Sequence, residues 1–119
     1  VDVIVAGSDV SGASKAAAAI DGVGKVFSVS GDAFDNGIAE SWAAAVLAVQ
    51  SSGGHSHVFA PGSNFGKNIA PRVAAKLDSQ QVSDVTAVFG EDEFERPMYA
   101  GNAVAKVKSG DAVKVLTVR

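Results

Sequence analysis

Apolar residues along this chain follow two rhythms. Residues 3–6, 26–29, 58–60 and 85–89 form short, nearly continuous apolar runs rich in β-branched side chains. Such runs suit strands covered on both faces, as in a parallel sheet. Between them the spacing becomes helical, over residues 12–20, 36–50 and 64–78. In the second of these segments Ile38, Trp42, Ala45, Val46 and Val49 line one face as a core-facing stripe. In the third, Phe65, Ile69, Val73 and Leu77 recur every four residues with Ala70 and Ala74 alongside, while Lys67, Asn68 and Asp78 fall outside that arc. Strands alternating with helices predict βαβ units with right-handed crossovers.

Two features complicate the third helix. Ser63 is placed to cap its first turn with a hydroxyl acceptor. Pro71, however, removes the bond back to Lys67 and brings a ring clash worth about 3 kcal/mol in a straight helix. Either the helix bends there or its regular part starts near Ile69. After Leu77 the helical period does not return, and runs at 85–89, 94–100, 102–108 and 114–118 follow one another directly. Strands without intervening helices predict an antiparallel extension, with Ser109-Gly110-Asp111 as one of its turns. The fold class expected is α/β, a mainly parallel sheet flanked by helices with a C-terminal antiparallel extension. At 119 residues the whole of 1–119 is read as a single domain.

Composition narrows the function classes. No apolar run approaches the roughly 20 residues needed to cross a bilayer, so no membrane insertion is expected. The formal net charge of −3 gives no clustered cationic footprint for nucleic acid. Cysteine is absent, which excludes disulfides, thiolate catalysis and Cys-ligated metal centres within these residues. The chain opens on Val1 and passes at once into an apolar run, with no signal or transit peptide in view, and reads as a segment with more before it.

Several stretches invite a chemical reading. Ala6-Gly7-Ser8-Asp9-Val10-Ser11-Gly12 leaves a strand and opens a helix, where backbone amides can face an anion. It lacks the Gly-x-Gly-x-x-Gly spacing, and an ordinary β-to-α turn is the favoured reading. Gly62-Ser63-Asn64-Phe65-Gly66-Lys67-Asn68 sits at the next helix start. A P-loop needs four residues between its glycines and a hydroxyl after the lysine; here there are three, and Asn68 follows Lys67. Nucleotide hydrolysis is rejected on that spacing, leaving Gly7, Ser8, Ser63 and Lys67 as candidates for holding an anion. His55 and His57 have no further His or Cys to complete a metal set. The acidic cluster Glu91, Asp92, Glu93 and Glu95 reads as a solvated turn rather than a calcium site. Arg96, Tyr99 and Asn102 flank Gly101, which permits unusual backbone geometry, and are the interface candidates, a structural role being equally open. No nucleophile is paired with a base, so no catalytic residue is assigned.

A family resemblance lies in the order of particular words. Phe65-Gly66-Lys67-Asn68, Pro71-Arg72-Val73-Ala74-Ala75, Ser83-Asp84 and Tyr99-Ala100-Gly101-Asn102-Ala103 follow one another within residues 59–107. Val5-Ala6-Gly7-Ser8 and Gly22-Val23-Gly24-Lys25-Val26 precede them, His57-Val58-Phe59-Ala60-Pro61 joins them, and Lys114-Val115-Leu116-Thr117-Val118-Arg119 closes the series. Together they resemble the N-terminal domain, domain I, of the electron transfer flavoprotein alpha subunit. The likeness covers essentially the whole chain, without the family's first strand and helix before Val1 and without its flavin domain after Arg119.

That resemblance implies an adenine nucleotide alpha-hydrolase-like fold and a scaffold or subunit-docking role in an electron carrier rather than an enzyme. It also implies a heterodimer with a beta subunit that binds AMP, and FAD bound mainly by the alpha subunit's second domain. Electrons would pass from acyl-CoA and related dehydrogenases, as in fatty acid β-oxidation, to a quinone oxidoreductase. The mitochondrial matrix is the compartment implied, with bacterial cytoplasm as the alternative. A small adenine-nucleotide-binding module using the two glycine turns is the competing reading.

Overall fold

A computed structural model describes all of residues 1–119, which divide into two compact units, Val1–Gly53 and Gly54–Arg119. Each is α/β, and each is described by itself.

The first unit is built on one βαβ crossover. Strand β1 (Asp2–Gly7) and strand β2 (Lys25–Ser30) pair in parallel from Asp2 opposite Lys25 to Gly7 opposite Ser30. Helix α1 (Ser11–Ala18) connects them. The Asp2 carboxylate accepts the Lys25 amide at 3.0 Å and so pins the start of the pairing. A short 3-10 turn, Asp32–Phe34, and Gly37 at φ 62° delay helix α2 to Ala39–Gly53, later than the helical spacing alone predicts. Trp42 packs edge-on to Phe34 with ring centroids 5.8 Å apart, and its indole N–H donates to the Phe34 carbonyl. The most buried positions of α2 are Ala39 and Ala43, while Trp42, Ala45, Val46 and Val49 are half-buried and Ile38 is exposed. Small side chains let the helix approach closely at its buried line, which displaces the expected stripe by one position.

The second unit carries two sheets. Strands β3 (His57–Pro61), β4 (Gln81–Val85) and β8 (Lys114–Val118) form a parallel sheet in the order β3-β8-β4. Strands β5 (Ala87–Val88), β6 (Glu93–Met98) and β7 (Ala103–Lys108) form an antiparallel sheet in the order β5-β6-β7. The mainly parallel architecture with an antiparallel addition is therefore as expected, but the last strand is not part of the addition. Residues 114–118 return to the centre of the parallel sheet. Val115, Leu116 and Thr117 have no exposed surface at all, and a strand covered on both faces belongs between two others. The run at 85–89 is also divided, with Val85 ending β4 and Ala87 beginning the antiparallel sheet.

Helix α3 (Asn64–Lys76) packs on β3 and β8 and runs through Pro71. It does not wait until Ile69 to begin. Ser63 caps it through its hydroxyl, which accepts the Gly66 amide at 3.3 Å, and Pro71 lies on the exposed side. Ile69, Ala70, Val73 and Ala74 are buried, whereas Phe65, expected in the stripe, stays 39% exposed. On the other side of the sheet Val85, Phe94 and Leu116 form a closed apolar cluster with Val82 and Val107 against it. No helix is long and apolar enough to cross a membrane.

Candidate functional site

The turn after β1 has its amides engaged by carboxylates. Ser8 donates its amide to Asp35 Oδ1 at 2.8 Å. The Asp9 carboxylate accepts both the Ser11 amide at 3.1 Å and the Ser11 hydroxyl at 2.8 Å. The Ser11 amide, and then its hydroxyl, hold the Asp9 carboxyl below its ordinary value of 3.8. A phosphate approaching Gly7 and Ser8 would meet two negative side chains where it needs donors.

The turn after β3 is closed by packing. The Gly62 amide donates to the Val118 carbonyl at 2.6 Å, and a Cβ added at Gly62 would stand 2.6 Å from that same oxygen. A Cβ at Gly66 would collide with the Pro61 carbonyl oxygen. These glycines let helix α3 sit directly on the ends of β3 and β8. Lys67 is not aimed at a ligand space but pairs with Asp84 Oδ1 at 3.1 Å. Asp84 itself lies in the left-handed region at φ 57°, with its amide on the hydroxyl of fully buried Thr117 at 2.9 Å. It sits where the register of β4 against β8 shifts, so the Lys67 pair clamps an irregular strand end.

The three interface candidates separate. Arg96, on β6, reaches β4: its Nε donates to the Ser83 carbonyl at 2.9 Å and its Nη2 to the Ser83 hydroxyl at 3.2 Å. Tyr99 and Asn102 instead occupy the turn between β6 and β7. Tyr99, Ala100 and Gly101 all have positive φ, at 50°, 55° and 89°. Each non-glycine residue there carries a strain of roughly 1–2 kcal/mol. The Asn102 amide donates back to the Tyr99 carbonyl at 3.1 Å. The Tyr99 side chain is 78% exposed, with Met98 and Val104 partly uncovered beside it.

The acidic cluster is tied into its hairpin rather than simply solvated. Glu93 pairs with Lys106 at 2.8 Å and Asp92 with Lys108 at 3.2 Å. Lys106 also lies over the Phe89 ring at 5.0 Å. Acid on one strand facing lysine on the next is a pattern that a hairpin register would have disclosed. His57 is engaged on both ring nitrogens, Nε2 donating to the Glu91 carbonyl at 2.6 Å and Nδ1 accepting from the Ser56 hydroxyl at 2.7 Å. Sequence reasoning also passed over Gln81, whose Oε1 is buried without a partner. A glutamine in a strand gives no signal of that kind by itself.

Comparison with known proteins agrees with the words quoted above. The family described as electron transfer flavoprotein domain matches residues 1–119. Over 119 residues the chain is 44% identical to the electron transfer flavoprotein subunit alpha of Pseudomonas aeruginosa, and equally to that of Paracoccus denitrificans. It is 41% identical over 124 residues to the mitochondrial alpha subunit of Dictyostelium discoideum. All of this chain is covered in each case, but only 38%, 38% and 35% of those proteins, so it spans little more than a third of their length. The chain belongs to the electron transfer flavoprotein family, on its alpha-subunit side.

Proposed function

We propose that residues 1–119 act as one scaffold and subunit-docking domain of an electron transfer flavoprotein alpha subunit. The observation that carries this reading is the β6–β7 turn. A tyrosine 78% exposed, on a backbone with successive left-handed residues, is strained and uncovered at once. Such geometry persists where surrounding structure enforces it and is concentrated at ligand clamps and switch regions. Tyrosine is also a frequent anchor in protein interfaces.

The partner in this reading is a beta subunit that carries AMP. FAD is held by a further part of the alpha chain, and electrons pass from acyl-CoA and related dehydrogenases to a quinone oxidoreductase. Both bacterial and mitochondrial relatives are represented, and the mitochondrial matrix and the bacterial cytoplasm each suit the role. The residues of this chain do not fit a dinucleotide at its strand-end turns, because the amides of Ser8, Ser11, Gly62 and Gly66 are engaged within the chain. No electron-transfer step is therefore assigned to them. Their contribution is rigidity and a surface.

Sedimentation of the 119-residue chain with a family beta subunit tests the reading. A one-to-one complex weakened about tenfold by Tyr99→Ala, the loss expected of a modest anchor near 1.4 kcal/mol, is the predicted result. Independent sedimentation of the two chains would overturn it.

A further inference from the structure

The second unit has an open cleft of about 500 Å³ along the edge of β4. Gln80 to Ser83 form one wall, and Arg96 with the Val107 to Asp111 segment forms the other. β4 is an end strand of its sheet, paired only with β8, so this wall is a strand edge.

Most of the polar groups in the cleft have partners within the chain. Asp111 Oδ2 accepts the Gln80 amide at 2.7 Å. Lys108 pairs with Asp92 at 3.2 Å. Two groups are left over. Gln81 Oε1 is buried with nothing donating to it. Arg96 is half-buried, and both of its bonds go to the neutral Ser83, so its guanidinium has no carboxylate and retains further N–H donors. A buried acceptor without a donor costs about 1–3 kcal/mol, and a partly desolvated cation without an anion adds to that. Both deficits lie in one cleft, and their complements are an N–H and a carboxylate.

We infer that this cleft receives an acidic segment of a protein partner, an Asp or Glu side chain meeting the Arg96 guanidinium while a neighbouring backbone N–H donates to Gln81 Oε1. An extended segment suits the shape, since a strand edge forms one wall and peptides add to such edges in extended form. Charge-assisted bonds from arginine to carboxylate supply the selectivity for acid over amide. The inference rests on the docking reading, and it names the chemistry of a second contact beyond Tyr99.

The probe is a blocked tripeptide, Ac-Ala-Asp-Ala-NH₂, titrated into the 119-residue chain and followed by the side-chain nitrogen resonances of Arg96 and Gln81. Both signals should move and saturate, with Ac-Ala-Asn-Ala-NH₂ and sodium acetate each binding about tenfold more weakly, the difference one charged hydrogen bond makes. Gln81→Glu supplies a carboxylate from within the cleft and should abolish the response while leaving the amide spectrum dispersed. Arg96→Gln should do the same by removing the cation. No movement with the Asp peptide, or equal movement with the Asn peptide or acetate, overturns the inference. Should the beta subunit bind Gln81→Glu as tightly as the wild-type chain while the peptide does not bind at all, the cleft is excluded and the docking reading stands. Should the peptide bind while the beta subunit does not, the cleft stands and the docking reading fails.

Discussion

The two strand-to-helix turns look alike as sequence and differ in what their glycines do. After β1, Gly12 has nothing within 4 Å of an added Cβ, and at Gly7 the nearest atom is Val10 Cγ1 at an ordinary 3.4 Å. After β3, Gly62 and Gly66 are pressed against backbone carbonyls of Val118 and Pro61. The first turn is held by side-chain carboxylates on its amides, the second by contact of main chain with main chain. The same contrast runs through their units. In Val1–Gly53 the buried side chains are Val10, Ala17, Ala39 and Ala43, whereas Gly54–Arg119 encloses Val73, Val85, Phe94, Val115 and Leu116 at 0–1% exposure. A glycine word at a helix start thus has two physical meanings, and only one of them leaves room for substitution.

That contrast can be broken most sharply at the core and at Gly66. Phe94→Ala should cost about 3–5 kcal/mol in urea unfolding, because it empties the fully buried centre of the second unit. Gly66→Ala should cost about 3 kcal/mol, as a Cβ forced against backbone cannot be relieved by a rotamer change. Gly12→Ala, in open space within α1, should be neutral or stabilising by up to about 1 kcal/mol. Equal losses at Gly12 and Gly66 would erase the distinction between the turns. Ser63→Ala should cost about 1 kcal/mol through the lost cap of α3, again by urea unfolding.

The smallest effect belongs to the first turn. With its folded pKa depressed, Asp9 contributes stability that is fully present above the ordinary value of 3.8 and is lost as pH falls through the lower folded value. The carboxyl carbon resonance of Asp9 should titrate below 3.8, and Ser11→Ala, which removes the hydroxyl and leaves the amide, should move it only part of the way back. A midpoint at 3.8 in the wild-type chain would contradict the amide and hydroxyl bonds to that carboxylate.

Much of this was legible from residue types alone. The alternation of β-branched runs with helical stripes located β1, β2, β3 and α1 to α3, because burial on both faces or one face leaves those periods. The place of β8 was not legible. Its neighbours in space are β3 and β4, and nothing local in residues 114–118 distinguishes a central parallel strand from the end of a meander. Pro71 misled in one of its two readings, since proline's cost is local while the cap at Ser63 and the fit of Gly66 secure the turn before it. Among the candidate residues, Lys67 and Arg96 turned toward Asp84 and Ser83, partners that depend on the bulged end of β4 and on the packing of β6 beside it. The unpaired Gln81 oxygen arises from that same packing, and no pattern along the chain encodes it.

The central claim is that these residues dock and do not hold the redox group. Equilibrium dialysis of the purified 119-residue chain against FAD, read by flavin absorbance, tests it most directly. The account predicts that no stoichiometric flavin remains with the chain. A yellow protein retaining one FAD per chain would contradict it.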